Sequence, residues 1–471
     1  MKTVLAFDFG ASSGRAIRGS YDGKNISLDE IHRFENVPVQ EDGALCHDVE
    51  MMLREIRTAC RKCGKTDALA FDTWGVDYGL LNERGKLIAL PRHYRGVQTQ
   101  AALEKAEASL GRHTLYRETG CQVMGINTLF QLLSDCNAAQ ADTLLFMPDL
   151  FGYFLTGEKV CERSIASTSQ MLSPVSKTWS APVLETCGIR TSLLPPLVNS
   201  GTVLGSYKGS KVISVAGHDT QCAVTAMPCK EKENAAFLSC GTWSLIGCEL
   251  DEPVLTQESS RAGLSNELGA NGKINYLKNI SGLWLIQEVR RDFAAQGRKY
   301  TYNDLEQMAR ASTPFACFID PDDPALSRPG GLAGKICAYC EATHQPVPET
   351  DGAVLRCIYE SLALKYRFAL EQIANCTGKS FDVLYMLGGG TKDKFLCSLS
   401  ADSLNLPVLA GPAEATALGN ILLQLYTLGE FQNMQQARQF LAESQSTTPY
   451  SPHHSTQWDD AYERFKNITH T

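Results

Sequence analysis

Asp8 stands in an otherwise apolar run, Val4-Leu5-Ala6-Phe7-Asp8-Phe9-Gly10, where a carboxylate is expensive to bury without a partner. The small, hydroxyl-bearing string Ala11-Ser12-Ser13-Gly14-Arg15 follows it. Together they suit a phosphate or metal site, with backbone N–H groups and hydroxyls turned to the anion. A hydrogen-bonded turn carboxylate is the plainer alternative. Asp219 follows a second apolar run, 211–216, and Gly217-His218, and it opens a helical stretch. Ligands gather at the carboxyl ends of strands in α/β sheets, and a carboxylate there can take a proton from a hydroxyl. It can equally cap the helix that begins near Thr220. His218 beside it suits a hydrogen bond to the same hydroxyl, or the life of an ordinary half-buried histidine. Gly388-Gly389-Gly390-Thr391 follows a strand and lets a ligand approach the backbone closely, though a tight turn explains it as well. Trp74 with Asp72, Asp77 and Tyr78 offers an aromatic wall and carboxylates for hydroxyls, the make-up of a sugar site.

Positioning these residues takes a particular set of elements. Residues 4–9 read as a buried strand and 16–21 as a second, with Asp22-Gly23 turning the chain into a third at 26–34. A P-loop or dinucleotide fingerprint runs strand, Gly-rich loop, helix. Here a Gly-rich turn joins strand to strand, so an anion would be held from a β-hairpin. The pattern recurs over 235–247, which contains Cys240-Gly241-Thr242-Trp243-Ser244. Gly10 and Gly241 are 231 positions apart (241 − 10), about half the chain, which predicts two domains each opening with a hairpin. Strands follow at 67–72, 211–216 and 381–387, and helices at 220–227, 352–377 and 414–428. The second of these helices carries Leu355, Ile358, Leu362 and Tyr366 on one face and is closed by Gly378. Pro228 and Lys230-Glu231-Lys232-Glu233 interrupt the pattern. The expected division is therefore 1–228, 229–445 and a Ser/Thr/Pro/His-rich peripheral tail over 446–471.

The chain has 471 residues, 44% hydrophobic and 20% charged, which excludes intrinsic disorder and collagen-like architecture. Forty-four Lys plus Arg against 52 Asp plus Glu give a net charge of −8, which argues against a nucleic-acid partner. No signal-peptide pattern opens the chain, and no apolar run reaches the ~18 residues of a membrane span. The reading is a cytoplasmic protein without a membrane partner. Seventeen cysteines, an odd number, are then expected as free thiols. The two C-x-x-C pairs, Cys60/Cys63 and Cys337/Cys340, are 274 positions apart (337 − 63) with no further ligand at a zinc spacing. Neither a metal nor a redox role is expected of them.

Taken in order, these segments resemble the FGGY carbohydrate kinases, of the superfamily that includes actin and chaperone ATPases. Residues 7–15 resemble the first phosphate motif, 238–244 the second, and 387–390 the adenosine motif. The likeness runs over roughly residues 4–440. It extends to Asp72-Thr73-Trp74-Gly75-Val76-Asp77-Tyr78, His93-Tyr94-Arg95, Gly217-His218-Asp219-Thr220 and Gly411-Pro412-Ala413-Glu414. It implies an α/β fold of two ribonuclease-H-like domains with an interdomain cleft. It implies transfer of the γ-phosphoryl of ATP, with Mg²⁺, to the 1-hydroxyl of a ketose: L-rhamnulose first, L-fuculose or L-xylulose as alternatives. By the same resemblance Asp219 is the general base, and Gly75, Asp77, His218 and Asn279 contact the sugar. Ala11, Ser12, Ser13, Gly14, Arg15, Thr242, Gln287 and Gly389 bind the nucleotide, and Asp8 organises the metal through water. The chain departs from the family pattern at Gly96-Val97-Gln98 and at Thr391-Lys392-Asp393. A sugar-independent ATPase of the actin or chaperone kind is the competing class. The assembly is read as a monomer or homodimer.

Overall fold

The computed structural model describes residues 1–10, 13–229, 233–453 and 455–469. The chain divides into two compact units. The first comprises Met1–Pro228, Glu249–Tyr276 and Ala415–Ser444; the second comprises Cys229–Cys248, Leu277–Glu414 and Gln445–Thr471.

The first unit is built on a six-stranded sheet in the order Thr202–Tyr207, Ser210–Ser214, Ala68–Thr73, Lys2–Phe9, Ser13–Tyr21, Ile26–Glu35. The expected hairpin is present: Lys2–Phe9 runs antiparallel to Ser13–Tyr21, with Asp8 opposite Arg15. Lys2–Phe9 also runs parallel to Ala68–Thr73, which sets Asp8 directly opposite Asp72. Ser210–Ser214 lies parallel to Ala68–Thr73 on its other edge. The two central strands are buried over nearly their whole length, as their continuous apolar sequences require. Phe7 stacks on Phe71 and Phe9 on Phe151, with ring centroids 4.9 and 4.7 Å apart. These rings anchor a core that also takes Val49, Met52 and Ile56 from the helix Val49–Cys63.

The helix Ala415–Thr427 belongs to this unit although it comes late in the chain. Its Gln424 amide donates to the Leu5 carbonyl at 3.2 Å. A Cβ on its Gly419 would collide with the Cys222 backbone of the helix Asp219–Thr225. Only a residue without a side chain allows these two helices to approach so closely.

The second unit repeats the theme. Ala235–Cys240 pairs antiparallel with Trp243–Leu250 and parallel with Val383–Leu387, so the second hairpin also formed as expected. Val383–Leu387 pairs in parallel with Val408–Ala410, which pairs antiparallel with Thr448–Tyr450. The helix Asp351–Thr377 has Thr350 accepting from Ala353 N at its start and Gly378 in the left-handed conformation, φ +68°, at its end.

The division differs from the one expected in two respects. The segment 229–445 is not one body: Glu249–Tyr276 and Ala415–Ser444 group with the first unit because their buried groups bond there. The tail is not peripheral. Thr448–Tyr450 extends a sheet, and the helix Thr456–Ile468 buries Trp458, Ala461, Tyr462 and Phe465. Among the described residues no helix is long and apolar enough to cross a membrane.

Candidate active site

Three parallel strand ends meet in the first unit. Asp8 comes from Lys2–Phe9, and Asp72 and Thr73 from Ala68–Thr73. Gly217-His218 continues beyond Ser210–Ser214, with Thr73 N donating to Gly217 O at 2.9 Å. Asp219 follows as the first residue of its helix. His218 occupies the cap position and makes no side-chain cap bond, while the Asp219 side chain bonds a backbone N–H of the helix's first turn.

The Asp219 carboxylate accepts from Thr220 N at 2.5 Å and lies 3.4 Å from His218 Nε2. Burial raises the Asp219 carboxyl above its ordinary value; the His218 charge opposes this and Asp8 adds to it. The other ring nitrogen of His218, Nδ1, meets Glu267 Oε2 at 2.8 Å. Burial works against a charged His218, yet the Glu267 carboxylate outweighs it and the imidazole is raised above its ordinary value. Gln221 Nε2 also donates to Glu267, at 2.6 Å, and Asn275 bonds Gln221 in turn. Glu162 accepts from Gly217 N at 3.0 Å and from Ser164 N and Ile165 N, which fixes the turn before His218.

Asp8 is buried and paired with Arg15. Asp72 is fully buried, accepts from Asn420 Nδ2 at 2.7 Å and, among the described residues, has no partner for its other oxygen. Burial and the neighbouring Asp8 charge raise its carboxyl well above the ordinary range. Ser13 closes the hairpin turn by accepting from Gly10 N at 2.9 Å, and Gly14 has no room for a Cβ against the Phe34 ring. Ala11 and Ser12 lie outside the described residues.

The Trp74–Tyr78 segment corrects one expectation. Asp77 is 1% exposed, and its Oδ2 takes His47 Nε2 at 2.7 Å, Trp74 Nε1 at 3.0 Å and Tyr94 N at 3.3 Å. Its Oδ1 takes Gln131 Nε2 at 3.1 Å. With four donors on it and almost none of its surface open, Asp77 holds the loop together and is buried away from a sugar hydroxyl. Trp74 is likewise buried against His47, with ring centroids 4.5 Å apart, and makes no open wall. Burial, helped by His47, lowers His93 to about 4 and leaves it neutral. Gly75 sits half-buried against Thr168, whose hydroxyl accepts from Val76 N at 3.1 Å. Val76 itself is held at φ +69°, an outlier for a β-branched residue.

In the second unit the turn after Ala235–Cys240 is tied to the helix Trp284–Ala295. Leu283 N donates to Gly241 O and Trp284 N to Thr242 O, each at 3.1 Å. Gln287 lies in the first turn of that helix. Gly388-Gly389-Gly390 closes on the same strand end: a Cβ on Gly390 would collide with the Cys240 side chain, while one on Gly389 would meet nothing within 4 Å. The second unit thus gathers Thr242, Gln287 and Gly389 around the end of one strand. Asn279 lies half-buried on Ile274–Ser281. In place of the adenosine-motif pattern, Asp393 caps the helix Lys394–Leu404, accepting from Leu396 N at 3.0 Å.

Residues 3–227 match the N-terminal domain, and 236–428 the C-terminal domain, of the FGGY family of carbohydrate kinases. The chain is 37% identical to the rhamnulokinase of Bacteroides thetaiotaomicron over 485 residues, with 99% of each covered. It is 38% identical to the rhamnulokinase of Enterococcus faecalis over 468 residues, covering 95% of this chain and 94% of the relative. Its fold matches the crystal structure of ligand-bound xylulose kinase from Lactobacillus acidophilus with a TM-score of 0.80 at 16% identity, covering 99% of this chain and 97% of that one.

Proposed function

The chain belongs to the FGGY family of carbohydrate kinases, and from that premise we propose that it transfers the γ-phosphoryl of ATP to the 1-hydroxyl of L-rhamnulose. The observation that carries the reading is the Glu267–His218–Asp219 relay at the converging strand ends. Phosphoryl transfer to an alcohol needs a base for the hydroxyl and donors that hold it in line, with little covalent work by the protein. Asp219, its proton affinity raised by burial, is the base. His218, whose hold on its proton Glu267 strengthens, donates to the sugar and orients it. Gly75 and Asn279 serve as further sugar contacts.

For the nucleotide, Ser13, Gly14 and Arg15 of the first unit and Thr242, Gln287 and Gly389 of the second are the proposed ligands. Gly389 has room beside its backbone for a flat ring, which supports that role. Carboxylate oxygens suit a hard cation such as Mg²⁺, and the buried, orphaned Asp72 Oδ1 opposite Asp8 is the observation that fits one here. Asp8 would hold it through water, and the bound cation would neutralise phosphate charge. The two rhamnulokinase relatives support L-rhamnulose as the acceptor.

ADP release measured with L-rhamnulose, L-fuculose, L-xylulose and no sugar tests this function. L-rhamnulose is expected to give the highest kcat/KM. Preference for another ketose overturns the substrate, and sugar-independent hydrolysis overturns the kinase. Asp219→Asn is expected to lower kcat by about 10²–10⁴-fold; an unchanged kcat removes Asp219 as the base.

A further inference from the structure

The nucleotide-binding candidates of the second unit hang on one short piece of chain. The strand Ile274–Ser281 ends at Ser281, and Gly282 and Leu283 lead into the helix Trp284–Ala295, which carries Gln287. Leu283 N and Trp284 N hold the carbonyls of Gly241 and Thr242. Gly282 lies hard against the second hairpin, where a Cβ would come within 2.7 Å of Ser244 N. The position of residues 281–284 therefore decides the position of Thr242 and Gln287.

An ionic cluster sets that piece of chain. Asp322 Oδ1 accepts from Ser281 N at 2.8 Å, and Asp322 Oδ2 lies 3.1 Å from Lys365 Nζ. Lys365 also donates to Asp320 Oδ1 at 2.7 Å, and the same oxygen accepts from Asp322 N at 3.1 Å. Lys365 is 5% exposed. Burial works against its charge, yet Asp322 and Asp320 outweigh burial and raise the ammonium above its ordinary value. Lys365 comes from the helix Asp351–Thr377, and the hydroxyl of its neighbour Tyr366 meets Ser244 Oγ at 2.8 Å. Two consecutive residues of one helix thus reach the hairpin and the loop that holds Ser281.

We propose that Asp322 and Lys365 are positioning residues for the nucleotide: through Ser281 N they fix the 281–284 turn that presents Thr242 and Gln287. This role rests on the assignment of Thr242 and Gln287 as nucleotide ligands. Asp320 shapes the turn that aims Asp322, and Lys365 ties the two carboxylates together. A hydrogen bond to a charged acceptor is stronger than a neutral one, so the Ser281 amide is held before the nucleotide arrives. The cost of ordering the turn then does not fall on binding.

The test measures ADP binding to the full-length protein by titration calorimetry, with steady-state kinetics and thermal unfolding alongside. Asp322→Ala removes the acceptor for Ser281 N, whereas Asp322→Asn keeps an acceptor and loses only the charge. The alanine variant is expected to bind ADP about tenfold more weakly. Its KM for ATP should rise to match while kcat and the KM for the ketose hold, the pattern of lost ground-state binding. The asparagine variant should recover most of the ADP affinity, although both variants lose the charge facing Lys365 and both unfold at lower temperature. Equal loss of ADP affinity in the two variants, or a rise in the ketose KM as large as that for ATP, would overturn the proposal. Thr242→Val and Gln287→Ala should each weaken ADP on their own. If they do and Asp322→Ala does not, the positioning role falls and the nucleotide assignment stands; if they do not, the assignment falls and takes the positioning role with it. Should Asp322→Ala fail to fold, hydrogen exchange in the unmodified chain decides. Coupling is reciprocal, so ADP should slow exchange of the Ser281 amide by about fivefold or more; exchange that ADP leaves unchanged overturns the proposal.

Discussion

Replacing Glu267 by Gln keeps the shape of the His218 partner and removes its charge. Glu267 is what holds the buried His218 imidazole above its ordinary value, so the variant's imidazole should give up its proton more readily. Two consequences follow. At pH 7 the sugar loses a charge-assisted hydrogen bond of about 1.5–3 kcal/mol, which lowers kcat/KM by about ten- to a hundredfold. Asp219 also loses the cation 3.4 Å away that opposes its burial. At that separation the interaction is about 1 kcal/mol at the dielectric of water and about 5 kcal/mol at an effective dielectric near 20. The Asp219 side chain keeps 32% of its surface open, so the screened end applies. One kcal/mol is a little under one pH unit. The base must be deprotonated to act, and losing a neighbouring cation makes it harder to deprotonate. The acid limb of the pH–rate profile should therefore move up by about one unit. The assay is kcat/KM against pH, followed by ADP release, with thermal unfolding recorded alongside. A profile that keeps its acid limb, or shifts it down, would refute the relay even if the overall rate fell.

Gly390→Ala puts a methyl group onto the buried Cys240 side chain; a loss of about 1–3 kcal/mol is expected in denaturant unfolding. Pairing it with Cys240→Ala should recover part of that loss, and strict additivity would show that the two do not meet. Val76→Gly relieves a left-handed residue that costs about 1–2 kcal/mol, whereas Val76→Ala keeps the strain and still loses the side-chain contacts. The glycine variant should be the more stable of the two, and the opposite order would disprove strain at this turn.

Both phosphate-type hairpins were legible because each is a short apolar strand, a cluster of turn residues and a second strand. The helix Asp351–Thr377 announced itself by its apolar spacing and by Gly378. Asp8, His218 and Asp219 could be singled out because polar residues at the ends of apolar runs stand out locally. Their partners could not. Glu267 lies 49 residues from His218 and Asn420 lies 348 from Asp72, and no periodicity links residues so far apart. Asp77 was misjudged because its four donors, from His47, Trp74, Tyr94 and Gln131, converge only in three dimensions. The tail was misjudged on composition, although Trp458, Ala461, Tyr462 and Phe465 recur at the spacing of a helix face and would have revealed it.

The helix Ala415–Thr427 has a bearing on how the protein is made. Asn420 and Gln424 supply partners for Asp72 and for the Leu5 carbonyl at the centre of the first sheet. Yet Ala415 emerges from the ribosome 187 residues after Pro228 (415 − 228). At about 5–20 residues per second, the nascent first unit waits roughly 10–40 s for the element that completes it. Throughout that interval a buried carboxylate and a strand carbonyl lack their partners, and the apolar surface meant for Ile421 against Gly19 stays open. Synthesis is thus the stage at which this chain has most need of a holding chaperone, and a fragment ending at Pro228 should be poorly soluble however complete its own strands are.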